Sequence, residues 1–172
     1  MGLKYYADIN DAPVSDLLRQ ASIKTENRLM SFSDSSWQYF PDTGRSTGEY
    51  IIFYQVGTID HCTHVPVSVS QSSAESEYNA ACTAGMALAR LRILIRELLN
   101  NDPDMVTEEA PLIVLGSKYA MCMANNFKCT KHTRHIAMRI NFVNNREKCK
   151  THKIDWCEDG LTKKIDPYGA YL

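Results

Sequence analysis

The chain has 172 residues, 44% of them hydrophobic and 23% charged, and a formal net charge of −1, which suits one globular domain with a real core. No apolar run approaches the roughly 18 residues of a membrane span, and the polar first ten residues are unlike a secretory signal. We therefore expect an intracellular protein, cytoplasmic or nuclear, without a membrane partner, in which the six cysteines are reduced thiols.

The first part of the chain predicts a polar lead-in followed by strands. Residues 1–28 show weak periodicity and are interpreted as a connecting segment, so the domain is expected to span residues 29–172. A turn is predicted where Pro, Asp and Gly cluster at residues 41–44. Alternating, β-branched or aromatic runs predict three strands around that turn, at Leu29–Ser36, Glu49–Val56 and Ile59–Val65.

A long helix is predicted next. Ser72 and Glu75 have the spacing of a capping box, in which Ser caps the helix and Glu reaches back to it. Apolar residues then recur at helical spacing as far as Leu98, and the segment Asn100–Pro103 ends the pattern. A helix of about 25 residues that is apolar nearly all round is expected to pack on a sheet.

The rest of the chain predicts a buried strand and further short elements. Residues Pro111–Gly116 are uniformly apolar, which is typical of a central strand that is covered on both faces. Helices are predicted at Tyr119–Asn125 and Arg134–Lys148, and a last strand at Thr151–Cys157. This β-β-β-α-β-α-β order predicts an α/β fold with a mixed five-stranded sheet and flanking helices.

Charge is distributed unevenly along the chain. Residues 1–117 carry 8 Lys and Arg against 15 Asp and Glu, whereas residues 118–172 carry 11 against 5. The basic part suits either contact with a phosphate backbone or a solvated helix face, and the acidic part argues against nucleic-acid binding over the whole surface. The spacing of Cys129, His132 and His135 matches no common zinc site, so incidental thiols are preferred.

Four short blocks carry a resemblance to a known family. They stand, in order, at Ser33–Trp37 with Arg45–Tyr50, at Ser72–Tyr78, at Lys131–Ile136 and at Asp159–Lys163. The first block resembles Ser-Asp-x-x-Trp followed by Arg-Ser-Thr-x-Gly-Tyr. The second resembles Ser-Ser-Thr-Glu-Ala-Glu-Tyr, the third Thr-Lys-His-Ile, and the fourth Ala-Asp-x-Leu-Thr-Lys. Those motifs belong to the ribonuclease H domain at the C-terminal end of copia-type retrotransposon Pol polyproteins. The lead-in Gly2–Tyr6 is similar to the segment that joins reverse transcriptase to that domain.

The resemblance implies a ribonuclease H-like fold and hydrolysis of RNA in an RNA–DNA hybrid. In this chemistry, clustered carboxylates hold two Mg²⁺ or Mn²⁺ ions about 3.5–4 Å apart, which activate water and stabilise the leaving oxygen. The family's first two acids match Asp34, the central bridging ligand on the first strand, and Glu77, one turn into the long helix. Asp159 matches the last acid by its Gly-Leu-Thr-Lys context, while Asp166 competes for that role by spacing.

One acid of the family pattern is missing. The family places an Asp at the end of the buried strand, and the sequence here is Gly116-Ser117-Lys118, so Ser117 is interpreted as the degenerate catalytic position. A hydroxyl is a neutral and weak ligand, so impaired cleavage is expected. Lys118 is expected on the opposite face of the strand, where it does not replace the lost charge.

The basic segment supplies candidate contacts to nucleic acid, namely Lys128, Lys131, Arg134, His135 and Arg139. His135 also suits a helix N-terminal or packing role, and Trp37 and Trp156 are interpreted as packing residues. The sequence leaves enzymatic activity open. The alternative to a nuclease is a domesticated pseudoenzyme that binds nucleic acid or a protein partner without catalysis. A recombinase of the same fold is disfavoured, because the matched blocks are not of integrase type.

Overall fold

The computed structural model of the protein describes residues 28–55, 57–100, 102, 110–125 and 153–156. Within these residues the chain forms, in order, β1 (Leu29–Phe40), β2 (Arg45–Tyr54), β3 (Gly57–His64), α1 (Ser73–Leu98), β4 (Leu112–Leu115), α2 (Lys118–Asn125) and β5 (Lys153–Trp156). Strands β1 to β4 make the body of a mixed sheet, and the short β5 extends it in the order β3-β2-β1-β4-β5. The predicted mixed α/β architecture is confirmed.

Most predicted elements are present, with different ends. The long helix begins at Ser73, directly after the predicted cap, and ends at Leu98 as expected. Strand β1 runs four residues beyond the predicted end at Ser36, because it continues into a long hairpin with β2. The lead-in at residues 1–27 and the predicted helix Arg134–Lys148 lie outside the described residues.

The β1–β2 hairpin contains an irregularity that decides which residues face each other. Its turn is closed by the pair Phe40 and Arg45, and Gly44 adopts the left-handed conformation at φ 64°. The register shifts between Ser36 and Phe40, where Gln38 has a φ of 51°. Below this bulge-like segment the pairing is regular down to Leu29 opposite Tyr54.

Strand β4 lies parallel to β1 on its other side. Met30 pairs with Leu112 and the register continues to Ser33 opposite Leu115, while β5 pairs in parallel with the far edge of β4. All four residues of β4 are buried, as the uniformly apolar run predicts. The parallel connection from β1 to β4 requires a crossover, which α1 provides.

Small side chains bring α1 close to the sheet. On the α1 side of β1 and β2, Ser31 and Ser33 are fully buried, and Gly48 lies where an added Cβ would be 3.5 Å from the Cβ of Ala80. The same Cβ would lie 2.9 Å from Cε1 of His64, so only glycine fits there without movement. The core on this side consists of larger residues from both layers, including Leu29, Ile52, Tyr78, Leu88, Ile113 and Leu115.

The opposite face of the sheet is also buried. Met30, Phe32 and Val114 are at most 3% exposed, and the rings of Phe32 and Phe53 make an edge-on contact at 6.0 Å. Burying a large apolar side chain of this kind stabilises the fold by about 1.5–3 kcal/mol. Both faces of the central strands therefore contribute to the core.

Arg28, at the start of the described chain, is part of this packing. It is 8% exposed, and its Nε and Nη2 atoms donate to the carbonyl oxygen of Ala110 at 3.3 and 3.0 Å. Its own carbonyl oxygen accepts from the backbone N–H of Gln55 at 3.2 Å. These bonds connect the starts of β1 and β4 with the end of β2.

Two further findings concern the class of protein. No helix within the described residues is long and apolar enough to cross a membrane. Within the described part of the chain, Cys62, Cys82 and Cys122 form no disulfide.

Candidate active site

Asp34 lies where β1 leaves the core. The strand is buried from Leu29 to Ser33, Asp34 is partly exposed, and the strand is exposed from Ser36 onward. Because side chains alternate along a strand, Asp34 shares a face with Met30 and Phe32, opposite the face that packs on α1. Its carboxylate therefore stands at the boundary between a buried sheet and solvent.

The start of α1 is capped much as its sequence predicts. Oγ of Ser72 accepts from the N–H of Glu75 at 3.2 Å, and Oε2 of Glu75 accepts from the N–H of Gln71 at 2.9 Å. The reciprocal bond of a capping box would go to Ser72 itself, so the structure is a close variant in which Glu reaches one residue further. Glu75 is 5% exposed, and its carboxylate bonds the segment just before the start of α1.

Two hydrogen bonds place this helix end beside the exposed end of β1. Nε1 of Trp37 donates to the carbonyl oxygen of Ser70 at 3.0 Å, and Nδ2 of Asn79 donates to Oγ of Ser70 at 3.1 Å. Glu77 lies one helical turn before Ala80, which packs over Gly48, so it stands on the sheet-facing side of α1 and is partly exposed. Asp34 and Glu77 thus lie at the same end of the sheet.

Ser117 has a structural role in the described geometry. Its Oγ accepts from the N–H of Ala120 at 3.3 Å and its carbonyl oxygen accepts from the N–H of Met121 at 3.1 Å, which makes it the N-cap of α2. The expectation that Lys118 continues the strand is wrong, because β4 ends at Leu115 and Lys118 is the exposed first residue of α2.

The register of β1 and β4 places Gly116, rather than Ser117, next to Asp34. The last parallel pair is Ser33 with Leu115, and the residues that follow this pair are Asp34 and Gly116. Continued strand alternation would put a side chain at position 116 on the face of Val114 and Asp34, whereas Ser117 lies beyond the strand as the N-cap of α2. The assignment of the lost acid to Ser117 stays a prediction, and the geometry adds position 116 as a competitor.

Glu49 is a residue of this site that the sequence analysis missed. It pairs directly with Asp34 across the β1–β2 ladder, and it is exposed. The signal available in the sequence was weak, because a regular hairpin closed at Phe40 and Arg45 would place Ile51 opposite Asp34. The irregularity between Ser36 and Phe40 shifts the pairing by two residues.

The chain matches no protein-family model, and no curated protein is significantly similar to it. Solved structures are similar. Ribonuclease H1 of Halobacterium salinarum NRC-1 has a TM-score of 0.52 at 11% identity, over 82% of this chain and 93% of that one. LC11 ribonuclease H1, isolated from compost and solved with an RNA/DNA hybrid, has a TM-score of 0.55 at 11% identity, over the same shares. The prototype foamy virus protease–reverse transcriptase has a TM-score of 0.52 at 11% identity, over 78% of this chain and 18% of that one.

This chain has a ribonuclease H-like fold. At 9–12% identity the similarity concerns the arrangement of the backbone, so the site must be argued from the side chains of this chain. In the ribonuclease H-like domain, Asp34 on the central strand and Glu77 on the crossover helix stand at one end of the sheet.

The donor atoms at this end of the ribonuclease H-like domain suit a hard divalent cation. Carboxylate oxygens are the ligands that Mg²⁺ and Mn²⁺ prefer, and both ions keep several waters when the protein supplies few ligands. The described residues contain no group of three or more His, Cys, Asp or Glu side chains arranged to hold a metal ion. Asp34 and Glu77 stay predicted metal ligands.

The remaining predicted site residues lie outside the described part of the chain. They are the last acid and its competitor, Asp159 and Asp166, and the candidate nucleic-acid contacts Lys128, Lys131, Arg134, His135 and Arg139. Their roles stay predictions.

The pKa of one side chain near this hairpin is strongly shifted. Burial, together with the negative charge of Asp60, whose Oδ2 accepts from the Tyr50 hydroxyl at 3.2 Å, raises the pKa of Tyr50 to about 12. Tyr50 stays protonated at neutral pH, so it acts as a hydrogen-bond donor that holds β2 to β3 and has no acid–base role in the site.

Proposed function

We propose that this ribonuclease H-like domain is of copia-type retrotransposon origin and that its ancestral activity is cleavage of RNA in RNA–DNA hybrids, impaired in this chain. The observation that carries the proposal is the position of Asp34 at the exposed end of the central strand, with Glu77 held at the same end by the contacts of Trp37 and Asn79 with Ser70. The structurally similar LC11 ribonuclease H1 was solved in complex with an RNA/DNA hybrid, which supports the substrate class.

The side chains of this chain have separate tasks in that reaction. Asp34 is fixed by its pairing with Glu49 on β2 and directly follows the last β1–β4 pair, so its carboxylate is preorganised as the central ligand. Glu77 adds a second carboxylate from a helix whose end is capped, which limits its movement. Divalent cations, when bound by these oxygens, supply activation of water and stabilisation of the leaving oxygen. Asp159 is proposed as a further ligand.

We expect impaired cleavage because the end of β4 carries no charged side chain. Neither Gly116 nor Ser117 carries a charge, and the Ser117 hydroxyl already accepts from the N–H of Ala120. The site therefore lacks one negative charge of the family's set. We expect a higher Mg²⁺ requirement and a steep loss of rate, because the charge that develops in the transition state is then stabilised less well.

Cleavage of a labelled RNA–DNA hybrid tests the proposal. The purified chain, Ser117→Asp and Asp34→Asn are incubated with the hybrid in Mg²⁺ and then in Mn²⁺. Slow cleavage by the native chain that disappears in Asp34→Asn supports an impaired nuclease. Cleavage by Ser117→Asp alone supports a lost activity on an intact site. If no variant cleaves in either ion, the proposed activity is wrong for this chain.

A second candidate is a domesticated module that binds nucleic acid or a protein partner without catalysis. It is favoured by the uncharged end of β4 together with the excess of 11 Lys and Arg over 5 Asp and Glu in residues 118–172. A binding module should retain a labelled hybrid in the presence of a chelator, with an affinity that falls steeply as salt rises. Asp34→Asn should leave that affinity unchanged, whereas a metal-dependent nuclease should lose binding with the chelator.

A further inference from the structure

Two carboxylates lie side by side at the exposed end of the hairpin. Asp34 on β1 and Glu49 on β2 are direct partners in the antiparallel ladder. Directly opposed residues have Cβ atoms about 4.5–5.5 Å apart and project from the same face. Asp34 is partly exposed and Glu49 is exposed, so both carboxylates are accessible from solvent.

Like charges in this arrangement repel each other. Directly opposed charges of one sign destabilise a sheet, and no cation within the described residues forms an ion pair or a hydrogen bond with Asp34 or Glu49. A divalent cation between the two carboxylates would remove the repulsion and is the ligand that such an oxygen pair selects.

A buried hydroxyl on the same face gives independent support. Thr47 is 8% exposed, and its Oγ1 is buried without a hydrogen-bond partner among the described residues. It lies opposite Ser36, two residues along β2 from Glu49, which makes it a diagonal neighbour of Asp34 at about 7–8 Å. Buried polar atoms nearly always have a partner, which is often an ordered water or an ion-bound water. A hydroxyl at this distance is placed to bond such a water.

The neighbouring position on the β4 side of Asp34 is a glycine and has no side chain. The residue that follows the last β1–β4 pair on β4 is Gly116. Among the described residues, Asp34 therefore has a carboxylate neighbour on β2 and none on β4.

We propose that Glu49 supplies a further carboxylate to a divalent cation bound by Asp34, and that the Thr47 hydroxyl holds a water ligand of that cation. The domain thereby takes an acid from β2 in place of the one missing at the end of β4. The inference rests on the proposed function only in assigning Asp34 to a metal site.

Direct binding of Mn²⁺ to the full chain tests the inference without any need for activity. Binding is measured by titration calorimetry and by the Mn²⁺ resonance signal for the native chain and for Asp34→Asn, Glu49→Gln and Thr47→Val. Asp42→Asn, an exposed acid in the hairpin turn, is the matched control. Removing a hydrogen-bond partner of a metal-bound group typically costs about 10–100-fold in affinity. We expect a loss of about tenfold for Thr47→Val, a larger loss for Glu49→Gln, and no change for Asp42→Asn.

The outcomes separate this inference from the proposed function. If Glu49→Gln binds Mn²⁺ as tightly as the native chain while Asp34→Asn does not bind it, the role of Glu49 is wrong. The proposed metal site of the nuclease would then still be supported. Affinity that is unchanged in both variants, or absent from the native chain, would overturn both. A folded Glu49→Gln protein with weakened binding supports the inference, and its melting temperature in chelator should not fall, because the variant removes a repulsion.

Discussion

The indole Nε1 of Trp37 donates a hydrogen bond to the carbonyl oxygen of Ser70 at 3.0 Å, and this bond joins the exposed end of β1 to the segment that leads into α1. Ser70 is 2% exposed, and its hydroxyl accepts from Asn79 within the helix at 3.1 Å. Trp37 itself is 42% exposed, so its indole ring is only partly packed against the domain. The packing role that the sequence suggests for Trp37 thus includes positioning the helix that carries Glu77.

Replacing Trp37 by Phe should weaken this connection while keeping an aromatic ring. The loss of one partly buried hydrogen bond should lower the free energy of unfolding by about 0.5–1.5 kcal/mol. Urea denaturation followed by circular dichroism measures the change. Tyr39→Phe, at a residue that is 64% exposed, is the control and should lie within about 0.5 kcal/mol of the native chain. An equal effect of both variants would contradict the role of the bond.

Substitutions at Ser117 should follow the rules for helix caps. Ser117→Ala removes the oxygen that accepts from the N–H of Ala120, and it should cost about 1 kcal/mol of stability. Ser117→Asp keeps an acceptor in the cap position and should be nearly neutral, because Asp caps a helix as well as Ser does. Thermal melting of the two variants checks this. A similar loss of stability in both would show that the cap contributes little.

We expect Glu75 to contribute to the stability of the fold and Glu77 to contribute to metal binding. Glu75→Ala removes a buried carboxylate that accepts from the N–H of Gln71, and should destabilise the fold by about 1.5–3 kcal/mol, because this hydrogen bond is to a charged group. Glu77→Gln should change stability by less and should reduce the rise in melting temperature that Mn²⁺ produces. Differential scanning fluorimetry with and without Mn²⁺ measures both quantities. A larger Mn²⁺ effect from Glu75→Ala than from Glu77→Gln would reverse the assignment.

A carboxylate introduced at Gly116 should strengthen metal binding more than one introduced at Ser117. Position 116 follows the last β1–β4 pair as Asp34 does, and Gly116 is not among the described residues with positive φ, so a side chain there does not require a left-handed backbone. Mn²⁺ titration of Gly116→Asp and Ser117→Asp compares the two positions. Tighter binding in Ser117→Asp would show that the position interpreted from the sequence is the correct one.

Alkaline pH should destabilise the domain through Tyr50. Its folded pKa of about 12 exceeds the ordinary value of 10.0, because the hydroxyl is partly buried and faces Asp60. The unfolded chain therefore loses this proton first, and stability that is fully present below pH 10 declines as pH rises toward 12. Burial raises the pKa of Tyr54 in the same direction. Denaturation across this range, with Tyr50→Phe as the comparison, should show a shallower decline in the variant.

The sequence by itself determined the elements and their order. The alternation in β1, the capping pair Ser72 and Glu75 and the apolar run of β4 are local signals, because each depends on a period or a spacing within one segment. The match of Asp34 and Glu77 to the family's acids also came from short motifs. Both residues lie at one end of the sheet because a crossover helix packed on β1 must begin near the end of that strand.

Only the tertiary structure decided which residues surround Asp34. An irregularity between Ser36 and Phe40 sets the hairpin register, and it replaces Ile51 by Glu49 as the partner of Asp34. The end of the parallel register with β4 likewise adds Gly116 as a competitor of Ser117, because its last pair is Ser33 with Leu115. Strand register depends on packing between segments that are distant along the chain, and a shift of two residues preserves the alternation of faces. The hydrophobic pattern is therefore the same before and after the shift, so it contains no information about which carboxylate meets Asp34.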